Sequence, residues 1–205
     1  MAQQLVDRRD LDFVIWEQMQ SESLLKNDRY REFNKKTCEM IITEARALAI
    51  KEMLPTLAEG DKQGVRFDKG DVKVPDCFHD AHKLILEGEW QTLSVPPEMG
   101  GQGAPGFVSA ACAEYFLAAN WALYSYASMG NGTAHLIQLD GTPEQKEKYI
   151  PNIIAGKGGG TMLRTESQAG SDVGALETTA VKNEDGTYTL TGNKIFITNG
   201  EHDLA

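Results

Sequence analysis

The stretch TESQAGSD, Thr165 to Asp172, followed at strand-like spacing by GNKIFITNG, Gly192 to Gly200, decides how this sequence is read. The turn Ala169-Gly170-Ser171-Asp172 is made of small residues. Glycine has no Cβ and serine carries a rotatable donor, so backbone amides and a hydroxyl can approach an anion closely there. A pyrophosphate suits that chemistry, although a turn of this kind standing alone is more often structural. Between the two stretches, Thr178 to Lys182 and Thr187 to Thr191 carry alternating β-branched residues. They flank Asn183-Glu184-Asp185-Gly186, a turn composition, which predicts a hairpin. Lys194 to Thr198 reads as a further strand.

Upstream the period changes from two to about 3.6. Residues 36 to 54 place Met40, Ile41, Ala45, Leu48, Ala49 and Met53 at spacings of three and four, one face of a helix that Pro55 ends. Ala58 to Asp71 reads as a polar loop, and Pro75 to Glu89 as a second helical segment with Phe78, His82 and Leu86 on one face. Leu93 to Gly106 is too rich in glycine and proline for regular structure and predicts a defined loop. Residues 107 to 128 predict a helix buried on more than one side, from the density of alanine and aromatics around Tyr115, Phe116, Trp121 and Tyr126. Thr142-Pro143-Glu144-Gln145 is a capping box with proline at the first helical position. The helix it opens runs toward Ile154, broken or re-capped at Pro151, with Gly156 as its stop.

The fold class is therefore α+β: a mostly helical N-terminal part followed by a partial antiparallel β-domain. Ala205 lies a few residues past the second quoted stretch, inside a β-domain expected to continue.

Composition narrows the function classes. Twenty Lys and Arg stand against thirty Asp and Glu, a formal charge of -10, which repels nucleic-acid phosphate and anionic membrane surfaces. Neither a nucleic acid nor a membrane is an expected partner. The first twenty residues have scattered charge and no long apolar centre, so they read neither as a secretory signal nor as a span, and a cytoplasmic location is expected. Cys38, Cys77 and Cys112 are an odd, sparse set that suits a reducing compartment rather than a disulfide framework. Cys77, His79 and His82 form one short group with no second half, so no metal is expected. Gly100-Gly101-Gln102-Gly103 lacks the preceding strand and following lysine of a phosphate loop, and reads as a loop against a substrate channel.

Four stretches in order carry a resemblance over residues 36 to 204: Gly88 followed by SVPPEMGGQG, then GTPEQKEKYIPNIIAGK at Gly141 to Lys157, then TESQAGSD and KIFITNG. The chain resembles the acyl-CoA dehydrogenase family, matching its N-terminal helical domain and the start of its middle β-domain. The expected division is residues 1–35 as an N-terminal extension, 36–157 as the helical domain and 158–205 as the first strands of the middle domain. The extension is similar to that of the family's longer branch.

The resemblance implies FAD as cofactor. Thr165 would bond the pyrimidine edge of the isoalloxazine, Ser171 with Gly170 would meet the pyrophosphate, Phe196 would lie against the ring where many relatives have tryptophan, and Thr198 would lie near N5. Ser171 is also placed against the acyl-CoA substrate. The implied reaction is α,β-desaturation of an acyl-CoA thioester with hydride to N5, electrons passing to an electron-transferring flavoprotein. The glutamate base belongs to a C-terminal helical domain, so no residue of this chain is assigned to it. A homo-oligomer is expected for the full-length protein. Acyl-CoA oxidases and flavin monooxygenases share the architecture, and a non-catalytic truncated fragment is the remaining alternative. Two positions depart from the family pattern: Arg164 stands where an aliphatic residue is usual, and Ser167 where proline is. Arg164 either reaches solvent, finds a distant acid, or weakens flavin binding.

Overall fold

The computed structural model describes residues 5–204. Among the described residues, 5–160 with 201–204 form one compact unit and 161–200 another.

The first unit is helical. After α1 (Arg8–Asp12) and short π- and 3-10 turns, α2 spans Lys35–Leu48. It starts where the Asn34 side chain accepts from the Thr37 amide at 3.0 Å, an N-cap that satisfies one of the helix's unpaired first-turn donors. Its buried stripe is Cys38, Ile42 and Ala45, continued by Ala49 and Met53, whereas Met40 is 58% exposed. The spacing read from sequence had the right period with a shifted face.

Pro55 does not end the helical course. It has no N–H to donate, so the chain passes through a π-turn at Ala49–Met53, closed by Leu54 N donating to Ala49 O at 2.8 Å. Proline then takes the first turn of α3 (Pro55–Gln63), where a missing donor costs nothing. The expected polar loop from Ala58 is thus helix to Gln63. The hairpin of β1 (Arg66–Asp68) and β2 (Asp71–Lys73) follows, turning at Lys69 and Gly70 with φ of 53° and 104°. Its residues are exposed on both faces apart from half-buried Val72, so no alternation marked it in the sequence.

Helix α4 (Phe78–Glu87) buries Phe78, Ala81, His82 and Ile85. Helix α5 (Gly106–Ser128) supplies Val108, Tyr115, Phe116, Ala119 and Leu123 to the same core. Within it Asn120 is extended, at φ -162° and ψ 94°. Its buried amide closes the gap, accepting from Leu123 N at 3.1 Å and donating to Thr56 Oγ1 at 2.8 Å. Tyr115 and Phe116 are buried as expected, Tyr126 is half-buried, and Trp121 is 67% exposed.

The sequence reading places no element at 129–140, and the structure has α6 there (Gly130–Asp140). Helix α7 (Pro143–Ile154) has both halves of the capping box, Gln145 N to Thr142 Oγ1 at 3.3 Å and Thr142 N to Gln145 Oε1 at 2.9 Å. It runs through Pro151 unbroken. Glu147, whose carbonyl loses its donor, is exposed together with Pro151, and Asn152 Nδ2 serves the next carbonyl, Lys148 O, at 3.3 Å. Gly156 stops the helix with φ 68°. Ala134, Ile150 and Ile154 make a second, smaller core between α6 and α7.

The second unit contains one antiparallel hairpin, β3 (Thr179–Lys182) with β4 (Tyr188–Thr191), in the register Thr179 to Thr191 and Lys182 to Tyr188. Asn183 N donates to Thr187 O at 2.8 Å, and Gly186 takes φ 86° in the turn. The predicted hairpin is present, and every residue of both strands is exposed.

Candidate functional site

The two stretches that opened the sequence reading lie antiparallel to one another. Ile195 N donates to Thr165 O at 3.0 Å, and Thr161 Oγ1 donates to Thr198 O at 2.7 Å. Lys194 Nζ reaches Arg164 O at 3.2 Å and Glu166 Oε1 at 2.7 Å. Thr165 is thereby opposite Ile195, and Thr161 opposite Thr198.

The expected strand Lys194 to Thr198 does not form as a regular ladder. Phe196 adopts φ 56° and Asn199 φ 61°, left-handed conformations that break an extended run and are uncommon for a bulky residue such as phenylalanine. The consequence is that the Phe196 ring stands 87% exposed. Ile195 and Ile197 on either side are half-buried.

The tight turn sits earlier than the sequence suggested. Glu166 and Ala169 exchange both backbone bonds, at 3.0 and 3.1 Å, so it encloses Ser167 and Gln168. Gly170 and Ser171 follow it and are exposed, and nothing lies within 4 Å of where a Cβ on Gly170 would stand. Asp172 turns back on its own backbone, accepting from Gly174 N at 3.0 Å. The antiparallel pairing sets Thr165 opposite Ile195, the neighbour of Phe196, and Thr198 opposite Thr161; Gly170 and Ser171 sit beyond the turn on the same chain segment as Thr165. Arg164 is exposed, so its guanidinium reaches solvent.

Sequence reading missed the group that organises these segments. Glu166 is 3% exposed and accepts from Lys194 Nζ, from the hydroxyl and amide of Thr178, from Glu177 N at 2.8 Å and from Gln168 Nε2 at 2.8 Å. The Lys194 ammonium, then Thr178 and the Glu177 amide, hold its carboxyl far below the ordinary carboxylate range. A signal was present: Glu166 near the start of the first quoted stretch and Lys194 near the start of the second carry opposite charge.

The residues present fit a flat aromatic cofactor with an anionic tail. The Phe196 ring is exposed and the backbone at Gly170 is open to approach.

Two family profiles match the chain. The acyl-CoA dehydrogenase N-terminal domain matches residues 35–157 and the middle domain of the same family residues 161–204. This chain belongs to the acyl-CoA dehydrogenase family. Among curated relatives, 3-methylmercaptopropionyl-CoA dehydrogenase of Ruegeria pomeroyi is 34% identical over 197 residues, 96% of this chain and 34% of its own length. Butyryl-CoA dehydrogenase of Megasphaera elsdenii has a solved structure that superposes with a TM-score of 0.64 at 29% identity, over 80% of this chain and 41% of that one. An acyl-CoA dehydrogenase of Bacillus anthracis, solved in complex with FAD, gives a TM-score of 0.60 at 29% identity, over 82% of this chain and 27% of that one. The chain spans about a third of the length of the curated relatives it matches first.

In the helical unit of this dehydrogenase-family chain, the Leu93 to Gly106 loop is bonded in place by Gln102 N to Thr92 O, Gly103 N to Val95 O and Ala104 N to Leu93 O. Its glycines answer to packing: a Cβ at Gly101 would stand 2.2 Å from Val95 O. The loop borders a cleft of about 720 Å³ that Gly100, Met99, Gln91, Lys146, Ile150 and Ile154 help to line. Cys77, His79 and His82 do not converge. Cys77 Sγ lies 3.8 Å from Thr56 O, His79 is 3.7 Å from Asp203, and His82 is buried rather than on a polar surface. Burial, with His202 and His79 nearby, pushes His82 down to about 4. Among the described residues no group of three such side chains could hold a metal ion, and no helix is long and apolar enough to cross a membrane.

Proposed function

We propose that this chain is the N-terminal part of an FAD-dependent acyl-CoA dehydrogenase, divided into an extension at 1–35, a helical domain at 36–157 and the start of the middle domain from 158. The observation that carries the reading is the antiparallel pairing of 161–166 with 194–198, with Thr165 opposite Ile195 and the Phe196 side chain exposed next to it. Thr165 and Thr198 offer hydroxyls to the isoalloxazine edge and the region of N5. Phe196 covers one ring face, and Gly170 and Ser171 leave amide and hydroxyl donors free for the pyrophosphate, Ser171 also meeting the acyl-CoA. Bound FAD supplies the acceptor for a hydride from the β-carbon of an acyl-CoA, while a base outside this chain takes the α-proton. The residues of this chain hold and orient; they do no proton transfer. An electron-transferring flavoprotein is the proposed oxidant of the reduced enzyme, and a homo-oligomer its assembly.

The test is titration of the full-length protein with FAD, followed by anaerobic bleaching of the flavin band with a panel of acyl-CoAs and readmission of air. FAD binding, bleaching and slow reoxidation are expected. Rapid peroxide formation would convert the reading to an oxidase, and absence of FAD binding would end it.

A further inference from the structure

Five hydrogen bonds converge on the Glu166 carboxylate, and they come from three separate pieces of chain. Gln168 Nε2 belongs to the tight turn, Glu177 N and Thr178 lie at the entrance to β3, and Lys194 opens the second site stretch. A carboxylate has about four lone-pair sites, so this one is saturated. Lys194 is itself only 18% exposed and spends a second bond on Arg164 O at 3.2 Å.

The backbone does little to fix the same register. One amide bond, Ile195 N to Thr165 O, joins residues 161–166 to residues 194–198 among the described residues. Side chains supply further links, the Thr161 hydroxyl on Thr198 O and Lys194 on Arg164 O and Glu166. A ladder this sparse specifies register weakly, and a slip of one residue turns every side chain to the opposite face. Such a slip would move Phe196 and Thr198 out of their present register with Thr165 and Thr161. Phe196 also holds a left-handed backbone, a conformation that persists only where its surroundings impose it.

We propose that Glu166 and Lys194 are positioning residues for the flavin site: their buried ion pair, with Thr178 as a third arm, locks the two site stretches in the register that sets Thr165 opposite Ile195 and Thr161 opposite Thr198. Neither side chain touches the cofactor; each acts through the stretch that carries it. This rests on the proposed FAD site.

The experiment measures FAD dissociation constants by flavin fluorescence, together with the visible circular dichroism of bound flavin and the melting of the FAD-free protein. It uses the full-length chain and three variants. Lys194→Met is expected to weaken FAD binding about tenfold or more and to alter the flavin dichroism, the effect of loosening a site by roughly an ångström. Lys194→Arg keeps the charge and should restore most of the affinity. Thr178→Val removes one hydroxyl and should fall between them, with the FAD-free melting of the helical unit unchanged in all three. Should Lys194→Met not fold, the order of Thr178→Val and Lys194→Arg against the parent decides. Parent-like affinity and dichroism in Thr178→Val and in any folded Lys194→Met would overturn the positioning role. A parent protein that binds no FAD would instead overturn the function on which it rests.

Discussion

Residues 5–160 pack around Ile42, Met53, Tyr115, Phe116 and Leu123, all fully buried, whereas residues 161–200 bury only Ala169 and the carboxylate of Glu166. The first unit has an apolar interior; the second has an ion. The difference reaches the surface, where the strand unit leaves Met162 69%, Val181 63%, Leu190 71% and Phe196 87% exposed. Apolar burial is non-directional and scales with area, so it stabilises an arrangement while tolerating some repacking. Hydrogen bonds to a buried carboxylate are directional and depend on each donor's place. The helical unit thus draws stability from bulk, and the strand unit draws geometry from a few contacts, which suits its proposed task of holding ligand-facing groups in register.

The sharpest way to break this contrast is to empty the apolar core. Phe116 is fully buried and meets Trp90 and Tyr124 with ring centroids 5.5 and 5.1 Å away. Phe116→Ala should cost about 3–5 kcal/mol, read as a fall in melting temperature of the helical signal. A loss below about 1 kcal/mol would mean that this core is not the unit's main support.

Acid separates the two units by window. His82 stays neutral in the fold down to about 4, while the unfolded chain takes its proton near the ordinary 6.5. The unfolded state then binds more protons between those values, so stability is lost as pH falls from 6.5 toward 4, by at most about 1.4 kcal/mol per unit. His82→Leu should flatten that limb of the stability curve. Glu166 acts in the opposite sense of charge: its lowered value contributes stability above the ordinary 4.5 that is lost only as pH drops below it. A slope between 6.5 and 4 that survives in His82→Leu would assign it to other groups.

Smaller effects test the edges of the comparison. Thr142→Ala removes the hydroxyl half of the α7 capping box and should cost about 1 kcal/mol of helical-unit stability, measured by denaturant unfolding. Leu190→Thr replaces an exposed apolar residue of the hairpin and should change stability by no more than about 0.5 kcal/mol. A larger loss there would reveal an apolar contact that the hairpin's exposure does not show.

Much of the helical unit was legible because its signals are local. The capping box at Thr142, the stop at Gly156, the period of α2 and α4 and the apolar density of α5 depend on residues within one or two turns of each other, and each element is where the sequence places it, with the buried face of α2 shifted. The β3–β4 hairpin was legible for the same reason, its turn chemistry being written in four consecutive residues. Pro55 and Pro151 were misread because a proline's effect depends on whether the chain can re-register or leave a carbonyl exposed, which neighbours in space decide. The β1–β2 hairpin and α6 escaped notice, the first for want of alternation and the second because glycines at 130 and 132 masked it.

At the site, the sequence by itself determined which residue types were on hand: two threonines, an aromatic, a Gly-Ser pair and the family they resemble. Only the tertiary structure decided that Thr165 pairs with Ile195, that Phe196 turns left-handed into the open, and that Glu166 and Lys194, twenty-eight positions apart, meet at 2.7 Å. The reason is physical: an ion pair between distant residues has no local pattern, since its energy depends on the desolvation and the additional donors that folding gathers around it.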